Sequence, residues 1–160
     1  MDREELLRRY AAGERDFTGI KLTGIRLSDV NCPDIILRNA NISETSIELS
    51  DFSFADLRDS NMTRIRLDEV SLRGANLSGA NLSSAIFSVP YLRDANLSHT
   101  NLSNAIFGDA SFKNANFSHA NLRGVRGFRI NKCKGAIFKD TIMPDGTIRN
   151  SAIAIARRLG

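Results

Sequence analysis

At 160 residues, with 42% hydrophobic content and a formal net charge of +4, the chain has the size of one domain. It holds no apolar run of membrane-spanning length, and its N-terminus lacks a secretory apolar stretch, so cytoplasm is the default compartment. Residues 1–15 carry four basic and four acidic side chains, 16–122 nine and twelve, and 123–160 nine and two, so the positive charge belongs to the tail. A continuous basic stripe along the chain's middle is therefore not expected, which argues against nucleic acid as the partner.

In chain order, residues 1–15 read as a short amphipathic helix. Asp2 can cap it with Glu5 three residues on, Leu6, Leu7 and Tyr10 share a face, and Gly13 ends it. From Asp16 onward the chain repeats every five residues. A large apolar residue stands at the centre of each unit, beginning Phe17, Leu22, Leu27, Cys32 and running unbroken to Phe117 and Leu122, a count of 22.

A helix would wind such centres around all its faces, because five residues advance a side chain about 140° beyond a full turn. A flat strand would alternate them between two faces. Only a chain that turns a corner once per unit keeps every centre on one axis, which is the architecture of a solenoid. The residue before each centre runs Asn76, Asn81, Ile86, Tyr91 and then Asn96, Asn101, Ile106, Ser111, so the pattern recurs every twenty residues. Four sides per coil follow, with residues twenty apart stacked at roughly 4.8 Å.

The purest stretch, Gly74-Ala75-Asn76-Leu77-Ser78 followed by Gly79-Ala80-Asn81-Leu82-Ser83, resembles the pentapeptide-repeat family, in its cyanobacterial type, over about residues 16–143. The resemblance implies an all-β fold: a right-handed quadrilateral parallel β-helix, a pentapeptide-repeat solenoid, here with a short N-terminal capping helix. It implies little about biochemical activity.

Positions two before each centre also point inward and are mostly Ala from Ala75 to Ala120, whereas Ile20, Ile25, Val30, Ile35, Ile65, Val70 and Pro90 are larger. After Leu122 the centres become Phe128, Cys133, Phe138 and Met143, which requires one residue inserted within Arg123 to Gly127. Residues 144–160 are expected to form a turn, opened by Met143-Pro144-Asp145-Gly146, and a terminal helix over Ser151–Leu159. Cys32 and Cys133 fall on the same side about five coils apart, roughly 24 Å, so buried, unpaired thiols are expected.

No phosphate loop, zinc-ligand cluster or nucleophile elbow is present, and a filled column leaves no pocket for substrate, so no enzyme activity, cofactor or metal is expected. His99 and His119 stack as two solvated imidazoles with too few neighbouring ligands for a metal. Asn41, Asn61, Asn81, Asn101 and Asn121 form one structural ladder, and Asn76, Asn96 and Asn116 another.

Numbered from Phe17, the first two sides carry these ladders, while the third and fourth carry outward residues that break the polar rule. Arg26, Leu49, Arg66, Ile86, Val89 and Ile106 stand on side three, and Phe54 and Tyr91 on side four. The candidate partner-binding residues are Leu49, Phe54, Arg66, Ile86, Val89, Tyr91 and Ile106, because clustered apolar and aromatic residues at solvated positions suit a protein-binding patch. The expected function is a non-catalytic protein–protein interaction module, regulatory or scaffolding, acting as a monomer or weak dimer. The alternative implied by the resemblance is DNA mimicry toward type II topoisomerases such as gyrase, against which the coil's net of −3 is too small. The basic tail residues Arg123, Arg126, Arg129, Lys132, Lys134 and Lys139 read as a solvated surface, the alternative being contact with nucleic acid or an acidic partner.

Overall fold

The computed structural model describes residues 1–152. It is a right-handed, four-sided parallel β-helix that opens with one short helix, α1 (Arg3–Ala11). Side three holds a parallel five-stranded sheet of β1 (Arg26–Ser28), β2 (Ser46–Glu48), β3 (Arg66–Asp68), β4 (Ile86–Phe87) and β5 (Ile106–Phe107). The other sides are held by single parallel bridges at the same spacing, such as Asn41↔Asn61, Asp56↔Asn76 and Ser71↔Tyr91.

The repeat fills the axis because every centre from Phe17 to Leu122 is at most 4% exposed. Each contributes about 2 kcal/mol of burial. The corner alanines from Ala75 to Ala120 are at most 4% exposed, and where a hydroxyl replaces alanine it is bonded internally. Thr45 Oγ1 donates to the Leu22 carbonyl at 2.6 Å and Thr100 Oγ1 to the Leu97 carbonyl at 2.6 Å, so no buried side-chain polar atom among the described residues lacks a partner.

The second residue after each centre makes the corner in the left-handed region, for example Asn39 at φ 53° and Asp59 at φ 56°. This explains why Gly, Asn and Asp recur there. Two corners depart from the rule, Val89 and Asp109. Pro90 restricts Val89 to extended backbone, so Val89 is absent from the positive-φ residues and the strand beneath shortens to two residues. One coil on, Gly108 lies so close to Ser88 that a Cβ would overlap the Ser88 carbonyl.

Helix α1 closes the first coil. The Asp2 carboxylate accepts from the Glu5 amide at 2.8 Å, Leu6 is fully buried, and the Tyr10 hydroxyl donates to the Pro33 carbonyl at 2.8 Å. Ile20 and Ile25 pack beside it as half-buried residues, while Val30 and Ile35 are fully inside.

The far end narrows one expectation and departs from another. The original register persists through Arg126, which still pairs with Ile106, whereas Asn116 pairs with Ile137, so the extra residue falls between Gly127 and Lys132. Gly127 takes the place of a centre because a Cβ there would strike the Phe107 carbonyl. Phe128 then supplies the ring, at 5.5 Å from Phe112, and a 3-10 turn over Ile130–Lys132 takes up the added residue.

The departure concerns the terminal helix. β6 (Ile137–Ile142) turns at Met143–Gly146 and pairs antiparallel with β7 (Ile148–Ala152), so Ser151 and Ala152 are strand, and the rest of the expected helix lies outside the described residues. The unpaired edge of β6 needs partners, and that need outweighs local helical preference.

Two outcomes follow. Leu97→Ala, at a fully buried centre, should cost about 2–5 kcal/mol in urea unfolding. Asp56, which accepts from Arg58 and Arg38, is held well below its usual range, at about 2. Its folded-state value is depressed, so its stabilisation is present above about pH 4 and lost as pH falls toward 2. After solvent screening this should amount to about 1 kcal/mol, and Asp56→Asn should flatten the pH dependence of the unfolding midpoint across that window.

Candidate functional site

The four sides present different surfaces. On sides one and two the outward polar residues satisfy one another. Asn76 Oδ1 accepts from the Ser78 amide at 3.1 Å and its hydroxyl at 2.8 Å, and Asn96 Nδ2 reaches Asn76 Oδ1 at 3.2 Å. Asn101 bonds Asn81 in the same manner at 3.4 Å. These ladders tie neighbouring coils together and leave little unsatisfied bonding for a partner.

The seven residues singled out from the sequence occupy the adjoining sides three and four, but not equivalently. Leu49, Phe54 and Tyr91 are 58%, 56% and 51% exposed. Arg66 is exposed, whereas Ile86, Val89 and Ile106 are half-buried. Ile86 pairs with Arg66 above and Ile106 below, so these three form one column on the sheet. Leu49 and Tyr91 meet at the corner between the sides, where an open groove of about 470 Å³ is lined by them together with Asp29, Asp51, Glu69 and Ser71. Phe54 lies further along side four, its ring over Gly74, where an added Cβ would come within 2.6 Å of the ring, and 5.9 Å from the Arg73 guanidinium.

Leu49 and Phe54 share a second property. Both make corners in the left-handed region, at φ 47° and 60°, and they are the two apolar residues among the described non-glycine positions that do so. A side chain there costs about 1–2 kcal/mol of backbone strain, which exposure does not repay.

Side four also carries charge that the segmental count conceals. The Gly74 amide donates to the Arg93 carbonyl, Asp94 to Lys113 and Asn114 to Lys134, so Arg73, Arg93, Lys113 and Lys134 stack in one column. The expectation that no basic stripe runs along the coil is corrected here. Residues twenty or so apart in sequence became neighbours, while acidic residues on other sides balanced the sum. Arg93 is 3.1 Å from Asp94; Lys113 and Lys134 have no ion pair among the described residues.

His99 and His119 stack on the exterior at 4.6 Å between ring centroids. The register slip brings Asp140 beneath them, with His119 Nδ1 at 3.8 Å from its carboxylate. The original period would have placed residue 139 there. Among the described residues no group of three metal-ligating side chains converges. The thiols of Cys32 and Cys133 are fully buried, and burial pushes them up to about 11 and about 12. Both therefore stay protonated and unreactive near neutrality.

No helix among the described residues is long and apolar enough to cross a membrane. No curated protein matches the chain in sequence. Similar solved structures include Rfr23, a pentapeptide repeat protein from the cyanobacterium Cyanothece 51142, at 25% identity, covering 88% of this chain and 99% of that one with a TM-score of 0.48. HetL of Nostoc sp. strain PCC 7120, described as involved in heterocyst differentiation regulation, is 25% identical over 93% of this chain and 100% of its own, at a TM-score of 0.27. Trypsin-treated QnrB1, a plasmid-mediated fluoroquinolone resistance protein, is 21% identical over 77% of this chain and 59% of its own, at 0.46. The family model "Pentapeptide repeats" matches eight copies across residues 16–53, 50–88 and 91–126, well over half of the sequence. The chain belongs to the pentapeptide-repeat family.

Proposed function

We propose that the protein is a non-catalytic interaction module that docks another protein on sides three and four of a rigid β-helix, in a regulatory or scaffolding role. The observation that carries this reading is the placement of Leu49 and Phe54. Each is more than half exposed and each holds a strained corner, so neither folding nor solubility accounts for its side chain. Strain kept at an exposed apolar residue points to use. Tyr91, in the groove beside Leu49, and the Arg66–Ile86–Ile106 column extend the same surface. Aromatic residues and arginine dominate binding energy at protein interfaces.

DNA mimicry toward gyrase asks for an unbroken acidic surface. Here Asp56 is flanked by Arg38 and Arg58, Glu48 pairs with Arg26 at 2.6 Å, and Glu44 pairs with Arg64. Side four is basic. The charge pattern favours protein docking over mimicry, and a gyrase supercoiling assay is expected to show no change on adding the protein.

A combined Phe54→Asp, Ile86→Lys and Tyr91→Asp variant should keep the β-helix circular dichroism spectrum and lose affinity capture of the wild-type partner. Retained capture would refute this surface. Leu49→Gly and Phe54→Gly should each raise stability by about 0.5–1 kcal/mol, from relief of left-handed strain less the added chain entropy of glycine, while weakening capture.

A further inference from the structure

We infer that the partner presents an extended acidic segment, which lies along side four with its carboxylates on the Arg73–Arg93–Lys113–Lys134 column and an apolar residue in the groove beside Tyr91. This rests on the docking reading above and adds the chemistry of the ligand.

The column comes from the fold alone. Each member is the first residue after a side-four centre, Leu72, Leu92, Phe112 and Cys133, and backbone bonds stack the four segments in order. Arg73, Arg93 and Lys134 are exposed and Lys113 half-exposed. Three coil steps of roughly 4.8 Å make the column about 14 Å long. In an extended chain, carboxylates at alternate positions fall about 6.7 Å apart on one face, so three of them span nearly that length.

Stacked like charges repel, and the local carboxylates neutralise them incompletely. Asp94 sits between Arg93 and Arg73 and accepts from Asn114, so one carboxylate serves the upper pair, and the outward positions beside Lys113 and Lys134 include Ser111, Asn114 and Gly135. Lys132, two residues before Lys134, reaches Asp109 at 3.0 Å. An external anion would relieve this repulsion, and the interaction would steer encounter as well as hold the complex.

The surroundings favour a peptide over a nucleic-acid strand. Beside the upper half of the column and extending above it, the groove at Leu49 and Tyr91 is walled by Asp29, Asp51 and Glu69. A phosphodiester chain turning sideways from Arg73 or Arg93 into the groove at Tyr91 would meet those carboxylates. A peptide changes character along its length, so an apolar side chain can enter between Leu49 and Tyr91 while the acidic run stays on the column. The Arg73 guanidinium, already over the Phe54 ring, links the apolar and charged halves of the surface.

The test is fluorescence anisotropy of a labelled peptide, a Trp-Leu pair followed by alternating Asp and Glu, set beside labelled oligothymidylate. The peptide should bind the full chain, weaken as salt rises through the range where the screening length falls below about 10 Å, and lose at least about tenfold affinity with Arg73→Glu plus Lys113→Glu. The milder pair Arg73→Gln plus Lys113→Gln should give a smaller loss in the same direction, which keeps the test valid if charge reversal perturbs folding. Absence of peptide binding, or equal binding by the charge variants, overturns the inference, as does oligothymidylate binding as tightly as the peptide. Capture of the native partner separates the two levels. If the charge variants retain a protein that the Phe54–Ile86–Tyr91 variant loses, docking stands and the acidic segment fails. If both variants retain it, docking fails as well.

Discussion

Each residue of the coil must lie over its counterpart one turn away, because most backbone bonds that hold the rod run between turns, while those within a turn, such as the Ala80 amide to the Leu77 carbonyl, only close its corners. The Leu57 amide donates to the Asn76 carbonyl and the Asn76 amide to that of Ala55, and this alternation continues down the array. The constraint makes the interior a sequence of tiers in which Leu, Ile, Met and Phe exchange freely so long as they fill the axis. On the outside it makes any recurrence at twenty residues into a physical column. Aligned asparagines become a bonded ladder, aligned histidines a stacked pair, and aligned cations a line of charge.

The same constraint decides how much could be read from the amino acids. The inward positions and the number of sides were legible, because both are periodic and only one backbone path satisfies the period. The asparagine ladders followed directly. The position of the slip did not, since the six-residue interval between the centres Leu122 and Phe128 cannot say how far a glycine-rich stretch keeps register; only the close approach of Gly127 to Phe107 decides that it does so until Arg126. Asp140 was missed beneath His119 because that slip moves it by one place. The reversal into β7 was also illegible, being driven by an unpaired edge elsewhere and not by its own residues.

The surface residues show the limits of pattern reading most clearly. Leu49, Ile86 and Tyr91 are all irregular by the repeat's own standard, yet Ile86 sits half-buried in a sheet column while Leu49 and Tyr91 stand out into an open groove. The distinction comes from backbone geometry. Leu49 makes a left-handed corner, whereas Val89 and Asp109 in the same column do not, and they therefore project differently. The basic column was hidden by a different cause. Charge was summed along the chain, whereas the fold sums it down each side.

The β6–β7 hairpin closes the described structure with two strands that run in opposite directions. Every other tier is laid down parallel to the one before it, and a parallel tier can in principle template another without limit. A reversed strand offers the wrong polarity for that continuation along the edges it covers. Along the edges it covers, the hairpin thus withholds the template that each earlier tier offers to its successor.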